Sequence, residues 1–225
     1  MTSNVTPVDV KAAPAETGDE ALRTRVLLGC GAAAGPLFIA VALIQAATRT
    51  GFDPVKHPAS LLSLGDLGWI QITNFVVTGL LFLASAVGMR RVLQPGPGGT
   101  WGPRLFGAFG VALIGGGIFV ADAGLGFPPG APAGVPDELS WHGIAHSVAP
   151  VVGFLALSLA GFVFARRSLR LGERSWAGVS IFTGVAVQVL GMASNASMNF
   201  IPLWIAMVLG FGWASVQAVR SLPQT

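Results

Sequence analysis

Six long apolar runs separated by short polar segments organise this chain, at positions 26–47, 70–90, 105–121, 142–165, 176–193 and 200–219. Each is close to the roughly 20 residues that an α-helix needs to cross the ~30 Å hydrocarbon core of a bilayer. The runs are continuous, with Gly and Ala interspersed, whereas the strands of a membrane barrel alternate apolar and polar residues over shorter segments. The pattern predicts an all-α fold, a polytopic six-span transmembrane helical bundle occupying residues 23–220. Positions 1–22 are polar and contain Pro7, Pro14 and Gly18, so they are expected to form a disordered cytoplasmic tail. Positions 221–225 are expected to form a second, shorter tail. The first apolar run starts late and is long enough to span, which does not fit a secretory signal.

Composition and charge sharpen this reading. The chain has 225 residues, 52% apolar and 10% charged, with a mean hydropathy of +0.69, against about 25% charged residues in a globular domain. The pI near 10.0 and formal net charge of +3 do not point to nucleic acid, because the basic residues follow the span boundaries. With the N-terminus placed in the cytoplasm, the inner segments hold Lys11, Arg23, Arg25, Arg90, Arg91, Arg104, Arg166, Arg167, Arg170, Arg174 and Arg220; the outer ones hold only Arg49 and Lys56. Such a bias follows the positive-inside rule. It puts both termini in the cytoplasm of a multi-pass cell-membrane protein whose first partner is the lipid bilayer. The outer segments carry Asp53, Asp66, Asp122, Asp137 and Glu138.

Two outer connections are sizeable, 48–69 and 122–141. The first mixes polar residues with Leu61, Leu62, Leu64 and Leu67, a combination that fits a short interfacial helix or re-entrant segment. The second, 124–136, is rich in Gly and Pro and is expected to be irregular. Trp69 and Trp141 precede outer span ends, and Trp101 and Trp176 lie near inner ones, as interfacial anchors do. The motif Asp66-Leu67-x-Trp69 echoes Glu138-Leu139-x-Trp141, and the spans that follow end in Arg90-Arg91 and Arg166-Arg167; either a duplicated hairpin or convergence on interfacial Trp and inner Arg accounts for it. Gly107, Gly110, Ala112, Gly115, Gly116 and Gly117 give the third span a small-residue face for close helix packing. Cys30 is the sole cysteine and lies inside the first span, so no intrachain disulfide or cysteine metal cage can form.

Candidate chemistry is concentrated on the outer side, where all three histidines fall. His142 and His146 are spaced i and i+4 and can share one metal ion from a single helix face. Asp122 closes the third span on the same side, and a carboxylate at that depth is a functional-site hypothesis. His57, in the first outer connection, can supply a third nitrogen. A divalent metal such as zinc held by His57, His142, His146 and Asp122 would leave an open water position, with Asp122 or Asp66 as general base and Ser60 orienting a substrate. Hydrolysis of a lipid-linked ester or amide at the outer interface would suit such a site. Against it stands a non-enzymatic reading, a small carrier or membrane assembly partner in which the same residues only hold the outer loops to the helix ends. Gln45, Asn74, Gln188, Asn195 and Asn199 can join helices by hydrogen bonds. There is no Walker motif and no Gly-x-Ser-x-Gly elbow, which excludes ATP-driven transport by a P-loop of this chain.

The run Gly51-Phe52-Asp53-Pro54, His57-Pro58-Ala59-Ser60, Gly65-Asp66-Leu67-Gly68-Trp69-Ile70-Gln71 and Asn74-Phe75, followed by Asp122, His142-Gly143 and His146, resembles the bacterial membrane proteins grouped as domain of unknown function 998. The resemblance covers positions 26–219 and implies a six-span bundle; it implies no reaction. The set of Ser, Asp and three His also resembles, in residue type, the metal site of the alkaline ceramidase and adiponectin-receptor superfamily. Those proteins have seven spans with the His-x-x-x-His pair in the last, whereas here the pair opens the fourth, so no ligand role is carried over.

Overall fold

A computed structural model describes residues 18–223; the tail expectations for 1–17 and 224–225 lie outside the described residues. Six long helices form in order: α1 (Gly18–Thr48), α2 (Gly68–Leu93), α3 (Trp101–Ile118), α4 (Trp141–Arg170), α5 (Arg174–Ser197) and α6 (Ile201–Arg220). Among the described residues there is no strand, only an isolated bridge between Gly124 and Phe127. Five helices, all but α3, are long and apolar enough to cross a membrane by length and composition. Their helical bonds satisfy the backbone polar groups that lipid could not. The all-α expectation therefore stands, and the chain is a multi-pass membrane protein.

Each helix packs on its successor and α6 returns to pack on α1, so the six close into a ring. Neighbours in sequence are neighbours in space whether their connection is short, as between α2 and α3, or long, as between α3 and α4, and small residues set the approach of several pairs. At Gly79 and Gly110 the backbones of α2 and α3 meet so closely that a Cβ on either would strike the other's carbonyl oxygen. Between α1 and α6, Ser215 Oγ accepts the Gly35 N–H at 3.0 Å and donates to Gly31 O at 2.9 Å, one residue before Pro36, which cannot itself donate. Ser158 Oγ donates to Gly184 O at 2.6 Å across α4 and α5. Trp213 Nε1 donates to Ser180 Oγ at 3.1 Å across α5 and α6.

Aromatic rings fill the centre of the ring of helices. Phe38 stacks on Phe211 at 4.5 Å between centroids, and Phe82 meets Phe106, Phe109 and Phe211 at 5.1 to 6.1 Å. Phe106 and Phe164 continue the column to Trp213. Trp69, Trp101 and Trp141 are exposed at helix starts, the belt positions read from the sequence. The helices run past the apolar runs at several ends: α1 begins at Gly18 and α4 extends to Arg170. The third is the exception, because α3 stops at Ile118 and Phe119 is already extended, so Asp122 lies in the irregular segment after the helix instead of closing it.

The connections 49–67, 119–140 and 198–200 gather at one end, which contains every histidine; the other end collects Arg90, Arg91, Arg104, Arg166, Arg167, Arg170, Arg174 and Arg220. In the first connection a short 3-10 turn, Ala59–Ser63, buries Leu61 and Leu62 against α1 and α2, the short helical element that its mixed composition predicts.

Candidate functional site

At the histidine end the polar side chains form two separate networks. In the first, the N–H of Asp53 donates to His57 Nδ1 at 2.9 Å, and His57 Nε2 lies 2.9 Å from Leu125 O. A backbone N–H can only donate and a carbonyl can only accept, so His57 carries its proton on Nε2. Both ring nitrogens are thereby engaged. The ring is 2% exposed and packs against Phe52 and Phe127. His57 O accepts from Trp204 Nε1 at 3.1 Å, and Val55 O accepts from the Phe200 N–H at 2.8 Å, which ties the first connection to the start of α6. Leu125 is held on both sides in a left-handed conformation, φ 58°, since its N–H donates to Gly134 O; a non-glycine residue there costs about 1–3 kcal/mol.

Arg49 completes that network. Its guanidinium donates to Leu62 O at 3.1 Å and Leu64 O at 2.6 Å and lies over the Phe127 ring. Burial lowers its pKa while Asp66 pulls the other way, and it stays charged at any working pH. Asp66 itself is exposed and Ser60 half-buried; neither hydrogen-bonds to a histidine among the described residues.

The second network lies where α3 ends and α4 begins. Ser140 is the N-cap of α4, and its Oγ accepts the Gly143 N–H at 3.1 Å, the role a Ser at this position performs. Asp122 grips it twice, accepting the Ser140 N–H at 2.8 Å and the hydroxyl at 2.6 Å. The hydroxyl bond, then the N–H bond and the neighbouring His142, hold the Asp122 carboxyl below its ordinary value against a desolvation that pushes it up. Gly143 is required here, because a Cβ would collide with the Asp122 carboxylate. His142 Nδ1 lies 3.0 Å from Val120 O and 3.9 Å from Asp122 Oδ1, and the buried His146 places Nδ1 2.7 Å from Phe119 O and 3.2 Å from Gly116 O. Carbonyls accept only, so both rings protonate Nδ1 and turn their lone pairs to Nε2.

Asp122, His142 and His146 are therefore brought to one locus, whereas His57, Ser60 and Asp66 belong to the first connection. Among the described residues no three His, Cys, Asp or Glu side chains form a group able to hold a metal ion. Ser140 was not singled out by the sequence reading, although a Ser directly before a helix-opening Trp carries the N-cap signal. Of the buried polar stripe of α2 the sequence pointed only to Asn74, with Gln45 of α1 beside it, as helix-joining residues. Gln45 Nε2 donates to Gln71 Oε1 at 2.7 Å, Asn74 Nδ2 donates to Phe38 O at 3.1 Å, and Thr78 and Ser85 follow on the same face with hydroxyls that have no partner. The spacing 71, 74, 78, 85 is helical and could have been read from the sequence.

A ring of apolar helices capped by polar clasps defines a multi-pass integral membrane protein. A family model described as protein of unknown function (DUF998) matches residues 32–220, and the chain belongs to that family. No curated protein and no solved structure matches it.

Proposed function

We propose that this is a six-span cell-membrane protein with both termini in the cytoplasm, and that it is a non-enzymatic assembly partner in which the outer His/Asp residues are structural clasps. The observation that carries this reading is His57. Its two nitrogens are both engaged by backbone groups in a network distinct from that of His142 and His146, which suits loop fastening better than metal ligation. The aromatic column along the ring axis favours an assembly partner over a small carrier. For the span count, α3 is packed along both α2 and α4 and its connections leave from opposite ends. At about 1.5 Å per residue its 18 residues rise about 27 Å, close to the thickness of the hydrocarbon core.

A second reading rests on one specific observation. His142 and His146 donate Nδ1–H to carbonyls, the arrangement by which metal-ligating histidines are oriented, and their Nε2 atoms are left for a divalent cation such as zinc. A metal-dependent hydrolase acting on a lipid-linked substrate would be built on the Nε2 atoms of that pair, with Asp122, on the Nδ1 side and held by Ser140, as a carboxylate near the pair and not a third ligand. Elemental analysis of the detergent-purified protein beside a His142→Ala/His146→Ala variant, both shown to be folded, separates the two. The structural reading expects no stoichiometric metal even after zinc supplementation; near-stoichiometric metal that disappears in the variant would replace it with the metallohydrolase.

A further inference from the structure

The cavity at the arginine end has a volume of about 430 Å³ and is walled by the last turns of α2, α4 and α6 and the start of α5. Its charged lining is Arg91, Arg167, Arg220 and Glu173. Glu173 is already paired with Arg220 at 2.8 Å, and the Arg220 guanidinium lies over Trp176 at 4.8 Å. Arg167 uses one N–H on Pro97 O, at 2.9 Å. A guanidinium has five N–H donors, so Arg167 retains most of its capacity. Arg91 is exposed and has no acidic partner among the described residues. The walls thus carry three positive charges against one negative.

Positive-inside topology explains why arginines collect at this end, but not which of them face the cavity. Each span-closing pair divides: Arg91 and Arg167 line the cavity, whereas Arg90 and Arg166 do not. Ser168, Gln217 and Ser221 add polar groups to the lining, and Leu93, Leu171 and Leu222 add apolar surface. Two guanidiniums lining one concave, partly apolar site at a membrane surface suit a tetrahedral phosphate oxyanion, which Arg binds bidentately.

We propose that this cavity binds a phosphate group through Arg91 and Arg167, with the Glu173–Arg220–Trp176 stack as its rigid wall. Either an anionic phospholipid headgroup or a soluble phosphate can present that chemistry. The inference needs only that this end of the ring meets the aqueous phase, so it stands or falls independently of the assembly role proposed above.

The test uses the full-length protein in nanodiscs. Wild type is compared with Arg91→Gln/Arg167→Gln and with Arg90→Gln/Arg166→Gln, which removes the same charge from neighbouring positions outside the cavity. Native mass spectrometry reads phosphatidylglycerol retained over phosphatidylcholine, and thermal melting in phosphatidylcholine alone reads the effect of added inorganic phosphate. The cavity pair is expected to lose about tenfold in affinity for whichever probe binds wild type, as removal of two charge-assisted contacts would cause; the neighbouring pair should stay within about twofold, the effect of diffuse surface charge near a Debye length. Selective phosphatidylglycerol retention assigns the site to a lipid headgroup, and a melting shift with phosphate assigns it to a soluble ligand. Equal losses in the two variants would overturn the site in favour of general surface charge. Wild type that neither retains phosphatidylglycerol nor responds to phosphate would overturn it without recourse to any variant, even if the cavity pair fails to fold.

Discussion

Asp122 shows how one carboxylate can join two helices that end and begin 20-odd residues apart. It accepts both donors of the α4 N-cap Ser140 and lies near His142. Because its pKa is lowered in the folded protein, the stability it contributes is full above the unfolded value of about 3.9 and is lost as pH falls through the folded one. Asp122→Asn keeps an acceptor but removes the charge, so it should cost about 1 kcal/mol at neutral pH. Thermal melting of the two proteins from pH 7 downward tests this: their melting temperatures should converge in acid. A constant gap down to the lowest pH would mean that the carboxylate's charge contributes nothing to the clasp.

Helix packing in this chain turns on a few glycines whose surroundings differ sharply. Gly79 faces the Gly110 carbonyl and Ile114 of α3, while Gly212 on α6 has open space beside it. A Gly79→Val substitution should therefore part α2 from α3 and destabilise by about 1–3 kcal/mol, the usual cost of overpacking. By contrast Gly212→Ala should be neutral or stabilising by up to about 1 kcal/mol, from helix propensity alone. Melting temperatures in a common detergent decide the matter, and equal effects at the two positions would refute the close crossing. The α2 stripe follows a different logic. Gln71 and Asn74 are partly satisfied, but Gln71 Nε2, Asn74 Oδ1 and the Thr78 hydroxyl are buried without partners, which lowers the stability of this seam relative to an apolar one.

At the scale of the whole molecule, the closed ring and its two chemically different ends predict a definite sidedness. In a Cys30→Ala background, Asp137→Cys at the histidine end and Ser175→Cys at the arginine end occupy exposed positions. A membrane-impermeant maleimide applied to intact cells should label Asp137→Cys, and Ser175→Cys only after permeabilisation. Labelling of both from outside, or the reverse order, would overturn the six-span orientation.

The linear sequence determined the class, the helices and their order, because bilayer thickness and backbone satisfaction impose long apolar runs that can be read locally. It also determined which residues collect at each end, since six helices in up-and-down alternation sort their connections to two ends without any knowledge of packing. Helix α3 was legible as a run but not in its exact end: the apolar residues Ile118, Phe119, Val120 and Ala121 continue the run past Gly115–Gly117, so the span was read to position 121 with Asp122 closing it, whereas the helix stops at Ile118. Tertiary structure alone decided the rest. That His57 faces Leu125 O while His142 and His146 face the end of α3 depends on how two irregular connections fold over a ring, where contacts are made 22 to 68 positions apart. Periodicity reports which face of one helix is apolar, but not which carbonyl of another segment a ring nitrogen will meet. For the same reason, which arginine of each pair faces the cavity was settled by the rotation of α2 and α4 about their axes within the closed ring, a quantity that only helix packing sets.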